Sequence, residues 1–324
     1  MNFDYNEEQQ LLADSVRRFL QKDYDLEARK RILSSAEGWS PAVWSRFADM
    51  GLTGLPFPAE SGGFGGSAVD LMSLMEAFGE ALVVEPYLPT IMGGLLLGSG
   101  HPLLPQVIEG RLRLAFAHTE REVLGAPIAE KLVVRADGEL LLVDRRDVQL
   151  KSYTTLDGMR AADIVPHAVR GERLPGGNAL IDEVLDFGCA LVCAEAVGVM
   201  KFACDTTLEY LKTRKQFGVP IGTFQALQHR IVDMYIDYEQ ARSMACLACS
   251  KARAGNPRER ARAVSAAKIK ISDAARHISQ ESVQLHGGMG MSEEMKVSHA
   301  FRRLTTIAQQ FGTADYHLAR FASL

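Results

Sequence analysis

The chain has 324 residues, a formal net charge of −4, 47% apolar residues and 23% charged residues. That length allows one to three domains with a sizeable buried core, and the composition is ordinary for a water-soluble globular protein. The charge balance excludes a general polyanion binder: the densest basic run, Lys251 to Arg262, carries Glu259 and straddles a Gly-Asn-Pro turn, so it reads as a solvated helix corner with no nucleic-acid partner.

The first hundred residues read as helices. Asn6 with Gln9 three positions on is a capping-box pattern, and Leu12, Val16, Phe19 and Leu20 then line one face. The acidic start has no apolar centre of the kind a signal peptide needs. Ser40, Pro41 and Gly51 mark the cap, the first position and the stop of a second helix. The run Gly62-Gly63-Phe64-Gly65-Gly66 follows no strand, which makes it a tight loop and not a dinucleotide turn. A long helix is expected from Ser67 towards Leu82.

Between about Leu112 and Asp182 the texture changes. The runs LRLAFAH, KLVVRA, ELLLVD and ADIVPHAV are short β-type segments separated by turn residues such as Asp137-Gly138. From Phe187 onward four long amphipathic helices are predicted, meeting at TRKQFGVPIGTFQ, RAGNPRE and HGGMGMSEE. The longest apolar stretch, Phe187 to Cys204, contains Glu195 and Lys201 and runs on into a charged helix, so it is a buried helix and not a membrane span. Five cysteines (Cys189, Cys193, Cys204, Cys246 and Cys249) sit in helical patterns. Cys246 and Cys249 have redox-like spacing without a strand–turn context, and read as buried thiols of a cytoplasmic protein.

This order resembles the acyl-CoA dehydrogenase family. The resemblance runs the whole length and rests on EEQQLLADSVRRF with GLTGLPFPAESGGFGG, on YLKTRKQFGVPIGTFQALQHRIVDM and on QLHGGMGMSEEMKVSHAFRR. It implies an α+β, mainly α, acyl-CoA dehydrogenase fold: an N-terminal helical domain over 1–111, a small shortened middle β-barrel over 112–182 and a C-terminal four-helix bundle over 183–324. Members oxidise the Cα–Cβ bond of an acyl-CoA thioester with FAD and pass the electrons to an electron-transfer flavoprotein. A carboxylate removes the α-proton while hydride leaves to the flavin. The cofactor lies across a subunit interface, one chain cradling the flavin ring and its neighbour the pyrophosphate and adenine end.

Carried over by position, the half-site offered to a neighbour is complete. Arg214 and Phe217 match residues that meet the neighbour's FAD, Gln225 matches a further contact, and Gln284 and Gly288 match the segment beside the adenine and pyrophosphate. Arginine suits a pyrophosphate because its guanidinium is a fixed fork of donors. Ile221 and Phe224 would supply apolar wall. The half a chain keeps for itself is dismantled. Gly312 stands at the usual place of the catalytic glutamate, Gly188 at the alternative place, and Ala314 and Tyr316 replace a threonine and a glutamine that touch the chain's own FAD. Glu120 survives from the flavin-side segment, but the tryptophan-containing flavin strand is missing; both tryptophans, Trp39 and Trp44, lie in the N-terminal domain.

The resemblance thus implies the reduced, non-catalytic subunit of a heteromeric α2β2 acyl-CoA dehydrogenase. Its partner would be a second acyl-CoA dehydrogenase subunit that holds the base and most of the acyl-CoA pocket, with room for bulky acyl groups such as steroid side-chain thioesters. No metal and no membrane enter this reading. Two alternatives stay open. One is a self-sufficient homo-oligomeric flavoenzyme with Glu195 or Asp315 as an unusual base; the other is a flavin-free scaffold. His229 has no assigned role, and His286 meets FAD through its backbone or serves as packing.

Overall fold

The structure is a computed structural model of the chain and describes residues 6–136, 138–164 and 170–324. Six helices come first: α1 (Glu7–Asp23), α2 (Leu26–Ser34), α3 (Pro41–Asp49), α4 (Ala68–Ala81), α5 (Tyr87–Leu97) and α6 (Leu104–Ile108). Seven strands follow: β1 (Leu114–Ala117), β2 (Val123–Leu124), β3 (Lys131–Ala136), β4 (Glu139–Asp144), β5 (Leu150–Thr154), β6 (Arg160–Ile164) and β7 (Glu172–Arg173). The C-terminal part holds α7 (Asn178–Thr213), the short strands β8 (Lys215–Gln216) and β9 (Val219–Pro220), α8 (Gln225–Lys251), α9 (Pro257–His286), α10 (Lys296–Gln309) and α11 (Ala314–Ser323). The fold class is the mainly helical one expected.

Local chemistry accounts for the helix ends. Asn6 accepts from the Gln9 amide at 2.9 Å and Gln9 Oε1 accepts from the Asn6 amide at 2.9 Å, closing the capping box of α1. Ser40 caps α3 with Pro41 at its first position, and Gly51 turns the chain out at φ +74°.

The elements gather into two compact units, neither a single run of chain. One is Glu27–Ser67 with Val84–Gly188; the other is Met1–Leu26, Ala68–Val83 and Cys189–Leu324. The first unit holds the β module. One sheet has the order β1-β3-β4-β7 and a second the order β2-β6-β5. Ala115, Leu132, Val134 and Val143 of one meet Val123, Ala162 and Ile164 of the other in a single core. KLVVRA and ELLLVD form β3 and β4 at the expected bounds. LRLAFAH contracts to β1, which pairs parallel with β3, a pairing that periodicity does not show. Strands β2, β5 and β7 escape a hydrophobic scan, because β5 is exposed over most of its length and the other two span two residues each. The expected strand ADIVPHAV appears as the end of β6; its residues 165–169, and Asp137 of the expected turn, lie outside the described residues.

The second unit is built on the C-terminal part of α7. Helix α4 crosses it closely enough that a Cβ on Gly198 would lie 1.9 Å from the Glu76 carbonyl, and one on Gly79 2.1 Å from the Glu195 carbonyl. Only glycine fits at either position. Helices α8 and α9 form an antiparallel hairpin tied by Arg230–Glu281 at 2.6 Å and Lys270–Asp237 at 2.5 Å. Tyr235 of α8 donates to Asp205 of α7 at 2.5 Å. Helix α7 is apolar and long enough to cross a membrane, but most of its apolar length is buried within the chain, as in a core helix. All five cysteines are buried and free.

One ion pair lies inside this bundle. Glu195 of α7 and Arg303 of α10 are 5% and 4% exposed. Arg303 Nε donates to Glu195 Oε1 at 2.6 Å and its Nη2 to Oε2 at 2.7 Å, a two-pronged charge-assisted contact. Removing one partner strands the other charge in the core. Arg303→Ala is therefore expected to cost about 3–5 kcal/mol of stability. The double variant Glu195→Leu with Arg303→Met should lose much less; urea denaturation of the two checks the difference.

Candidate cofactor-binding site

The residues singled out from sequence fall on three chain segments at one end of the α7–α8–α9 bundle. Arg214 follows the last residue of α7, and its amide still donates to the Tyr210 carbonyl at 2.8 Å. The chain then makes a tight hairpin of β8 and β9, with Gln216 paired to Val219 across Phe217-Gly218. Gln225 opens α8. The third segment is the end of α9, where Gln284 is exposed and His286 leads into the turn Gly287–Met291. Tyr210 OH donates to the His286 carbonyl at 3.4 Å, which ties the end of α7 to the end of α9. Arg230–Glu281 ties the start of α8 to the same place.

The side chains of this platform are poorly used by their own chain. Arg214, Gln225 and Gln284 are exposed, and among the described residues none has a side-chain hydrogen bond or ion pair. Phe217 is 91% exposed. Its φ is +53° and that of Gly218 is +82°, the left-handed pair that a two-residue hairpin of this twist requires. Glycine or asparagine meets that demand at least cost; phenylalanine adds both backbone strain and a bare ring. Its neighbour is Phe224, edge-on with ring centroids 6.1 Å apart. A Cβ on Gly287 or Gly288 would meet nothing within 4 Å, so an open backbone surface lies beside the two glutamines' segments.

The second location is the turn between α10 and α11. Phe311 has φ +58° and Gly312 φ +108°. A Cβ built on Gly312 would lie 2.4 Å from Cδ1 of Tyr316. Thr313 caps α11, its hydroxyl accepting from the Tyr316 amide at 3.2 Å. The turn is held from beneath. Lys268, fully buried, donates from Nζ to the Ile307 and Ala308 carbonyls at 2.9 and 3.1 Å, closing the end of α10. Burial pushes its amine below the usual lysine range. His317 Nε2 donates to the Phe311 carbonyl at 3.0 Å and Nδ1 faces the Ser265 hydroxyl at 3.2 Å.

The candidate replacement bases are placed by the same geometry. Glu195 has both oxygens engaged by Arg303. Asp315 is exposed in the first turn of α11. Gly188 is buried in the interior of α7. Glu120 is exposed, and its carbonyl accepts from Ile164 at 2.7 Å.

Known proteins share this fold. The family described as acyl-CoA dehydrogenase, N-terminal domain, matches residues 6–99, and acyl-CoA dehydrogenase, C-terminal domain, matches residues 176–323. Acyl-CoA dehydrogenase IpdE2 of Mycolicibacterium smegmatis is 31% identical over 322 residues, covering 97% of this chain and 98% of that protein. The chain belongs to the acyl-CoA dehydrogenase family. Among solved structures, the Tcur3481-Tcur3483 steroid ACAD G363A variant is 26% identical with a TM-score of 0.91, over 98% of this chain and 97% of its own. The ChsE4-ChsE5 complex from Mycobacterium tuberculosis has the same fold, with a TM-score of 0.90 at 21% identity over 100% of this chain and 98% of its own.

Acyl-CoA dehydrogenases imply FAD, and the platform fits its distal half. An unpaired arginine suits a pyrophosphate, two unpaired carboxamides can donate and accept, an exposed aromatic pair gives a flat apolar cover, and an open glycine turn lets backbone approach. Family spacing names these positions, but two conformational features, one here and one at Gly312, are not read from it. The Phe-Gly dipeptide between two polar β-type residues is a hairpin signal for the left-handed Phe217. Tyr316, four residues past Gly312 and at the start of a helix, was within reach of it.

Two substitutions test the two locations. Phe217→Asn is expected to stabilise the chain by about 1 kcal/mol through relief of backbone strain, read as a higher Tm. Gly312→Glu is expected to cost about 1–3 kcal/mol, because φ is left-handed there and Tyr316 occupies the space; a Tm at or above that of the parent would show that the turn tolerates the side chain.

Proposed function

We propose that this chain is the non-catalytic subunit of a heteromeric FAD-dependent acyl-CoA dehydrogenase, completing its partner's cofactor site. The observation that carries the reading is the turn at Gly312. Where the family resemblance calls for the base, the backbone is left-handed and Tyr316 lies over the position. Glu195, a buried carboxylate on α7, has both oxygens engaged by Arg303 in the core, which ties it to a structural ion pair. The distal platform, in contrast, keeps its polar side chains unpaired and ready for a ligand.

In the assembly, Arg214 would meet the pyrophosphate, Gln225 and Gln284 the polar edges of the adenosine part, and Phe217 with Phe224 would cover it. Gly288 would leave room for the backbone to approach. Bound FAD would supply the hydride acceptor for α,β-desaturation of an acyl-CoA thioester. The carboxylate that takes the α-proton would come from the partner chain, as would most of the acyl-CoA pocket. The names of the Tcur3481-Tcur3483 and ChsE4-ChsE5 structures support a second chain as partner, and that of the former, a steroid ACAD, supports a bulky, steroid-derived acyl group. An electron-transfer flavoprotein as acceptor, a cytoplasmic location and the three-part division at 112 and 183 belong to the same proposal.

Flavin stoichiometry tests it. The lone chain is expected to be colourless, and a complex with a co-expressed full-length acyl-CoA dehydrogenase is expected to hold about one FAD per two chains. A yellow lone chain with one FAD each would overturn the reading. Arg214→Ala in the complex should weaken FAD retention by tenfold or more, since a charge-assisted contact to phosphate contributes roughly 1.5–3 kcal/mol; unchanged flavin content would sink the proposed role of this platform.

A further inference from the structure

The platform is assembled from segments far apart in sequence. Arg214 and Phe217 follow the end of α7 and Gln225 opens α8, whereas Gln284 and Gly288 lie at the end of α9. For one ligand to meet all of them, the two helix ends must keep a fixed separation. Two side chains supply a direct link. Tyr210, one turn before Arg214, stacks on His286 with ring centroids 4.4 Å apart and planes 26° apart. Its hydroxyl donates to the carbonyl of the same histidine at 3.4 Å. Tyr210 also accepts the Arg214 amide on its carbonyl at 2.8 Å, and Arg214 in turn accepts the Ile221 amide at 2.8 Å. The base of the hairpin is thus referred to Tyr210 through two backbone steps.

His286 is as firmly set on its own side. It is 3% exposed, and its Nδ1 donates to the Ser282 carbonyl at 2.8 Å, which fixes the ring's tilt over the last turn of α9. Gly287 follows at φ +63° and donates back to the Gln284 carbonyl, so the open glycine turn begins at the residue that holds the stack. Nε2 of His286 is buried with no hydrogen-bond partner. An apolar ring of similar shape would avoid that unsatisfied nitrogen, so packing alone does not account for a histidine here. What imidazole adds over phenyl is the Nδ1 tether, which stops the ring from turning beneath Tyr210.

We propose that the Tyr210–His286 stack is a brace, a pair of positioning residues that sets the spacing between the Arg214 hairpin and the Gly288 turn. It rests on the FAD-completing role proposed above. Neither side chain need touch the cofactor; the brace fixes where those that do are held.

The test uses the full chain alone and in its complex. In the lone chain, Tyr210→Ala is expected to speed amide exchange at Arg214, Ile221 and residues 287–291, while the far end of the α8–α9 hairpin near Lys251 and Glu259 keeps its protection. In the complex, the same variant is expected to raise the FAD dissociation constant by about tenfold, the scale of loss from a loosened supporting shell. Tyr210→Phe, which keeps the ring, should restore most of both properties, and His286→Phe should keep exchange protection better than His286→Ala. A uniform rise in exchange across the bundle would make Tyr210 an ordinary core residue and overturn the proposal, as would unaltered exchange at Arg214 and the glycine turn. If Tyr210→Ala retains FAD while Arg214→Ala loses it, the brace is wrong and the FAD-completing role stands. If Arg214→Ala also retains FAD, that role fails and the positioning claim falls with it.

Discussion

The buried pair of Glu195 and Arg303 is the contact on which the helical unit is organised. An ion pair removed from water is stable only where both ends of each charge are met, and the two-pronged geometry meets them. It fixes the register of α10 against α7. The glycines at 79 and 198 let α4 press on the same stretch of α7 from another side. With α7 held in this way, its end, where Arg214 emerges, has a defined place. The other end of α10 runs into the Gly312 turn, closed by the buried amine of Lys268. One charge pair therefore stands behind both locations, the exposed platform at the bundle end and the turn at Gly312.

The contrast between those locations is physical as well as compositional. At the bundle end, polar groups and a strained aromatic are left without use inside the chain, which costs stability and leaves them available to something else. At the C-terminal turn several groups are engaged internally, His317 on Phe311, Thr313 on the helix start and Tyr316 over Gly312, while Gln310 Oε1 is buried without a partner.

Much of this was legible in the sequence, and the limits follow from what sequence encodes. Caps and stops such as Asn6, Ser40 and Gly51 are local chemistry, so they appear where they were read. Strands β3 and β4 are short, largely buried apolar runs that follow one another closely in sequence, an equally local signal. The parallel pairing of β1 with β3, and the polar edge strand β5, depend on partners that periodicity does not name. The five platform residues were found through family spacing and do lie together at one bundle end. What spacing could not supply was conformation: that Phe217 sits left-handed, that Tyr316 covers Gly312, and that His286 is tethered through Nδ1 beneath Tyr210. Each is a relation between a backbone angle and a neighbour in space.

The Gly312 turn also bears on how such a chain can change. Were a carboxylate placed at that position, it would arrive on a backbone shaped for glycine and against a tyrosine already packed there. The substitution would lower stability before any chemistry could reward it, and the tyrosine would have to move in the same step. A glycine turn covered in this way works as a ratchet, easy to enter and steep to leave.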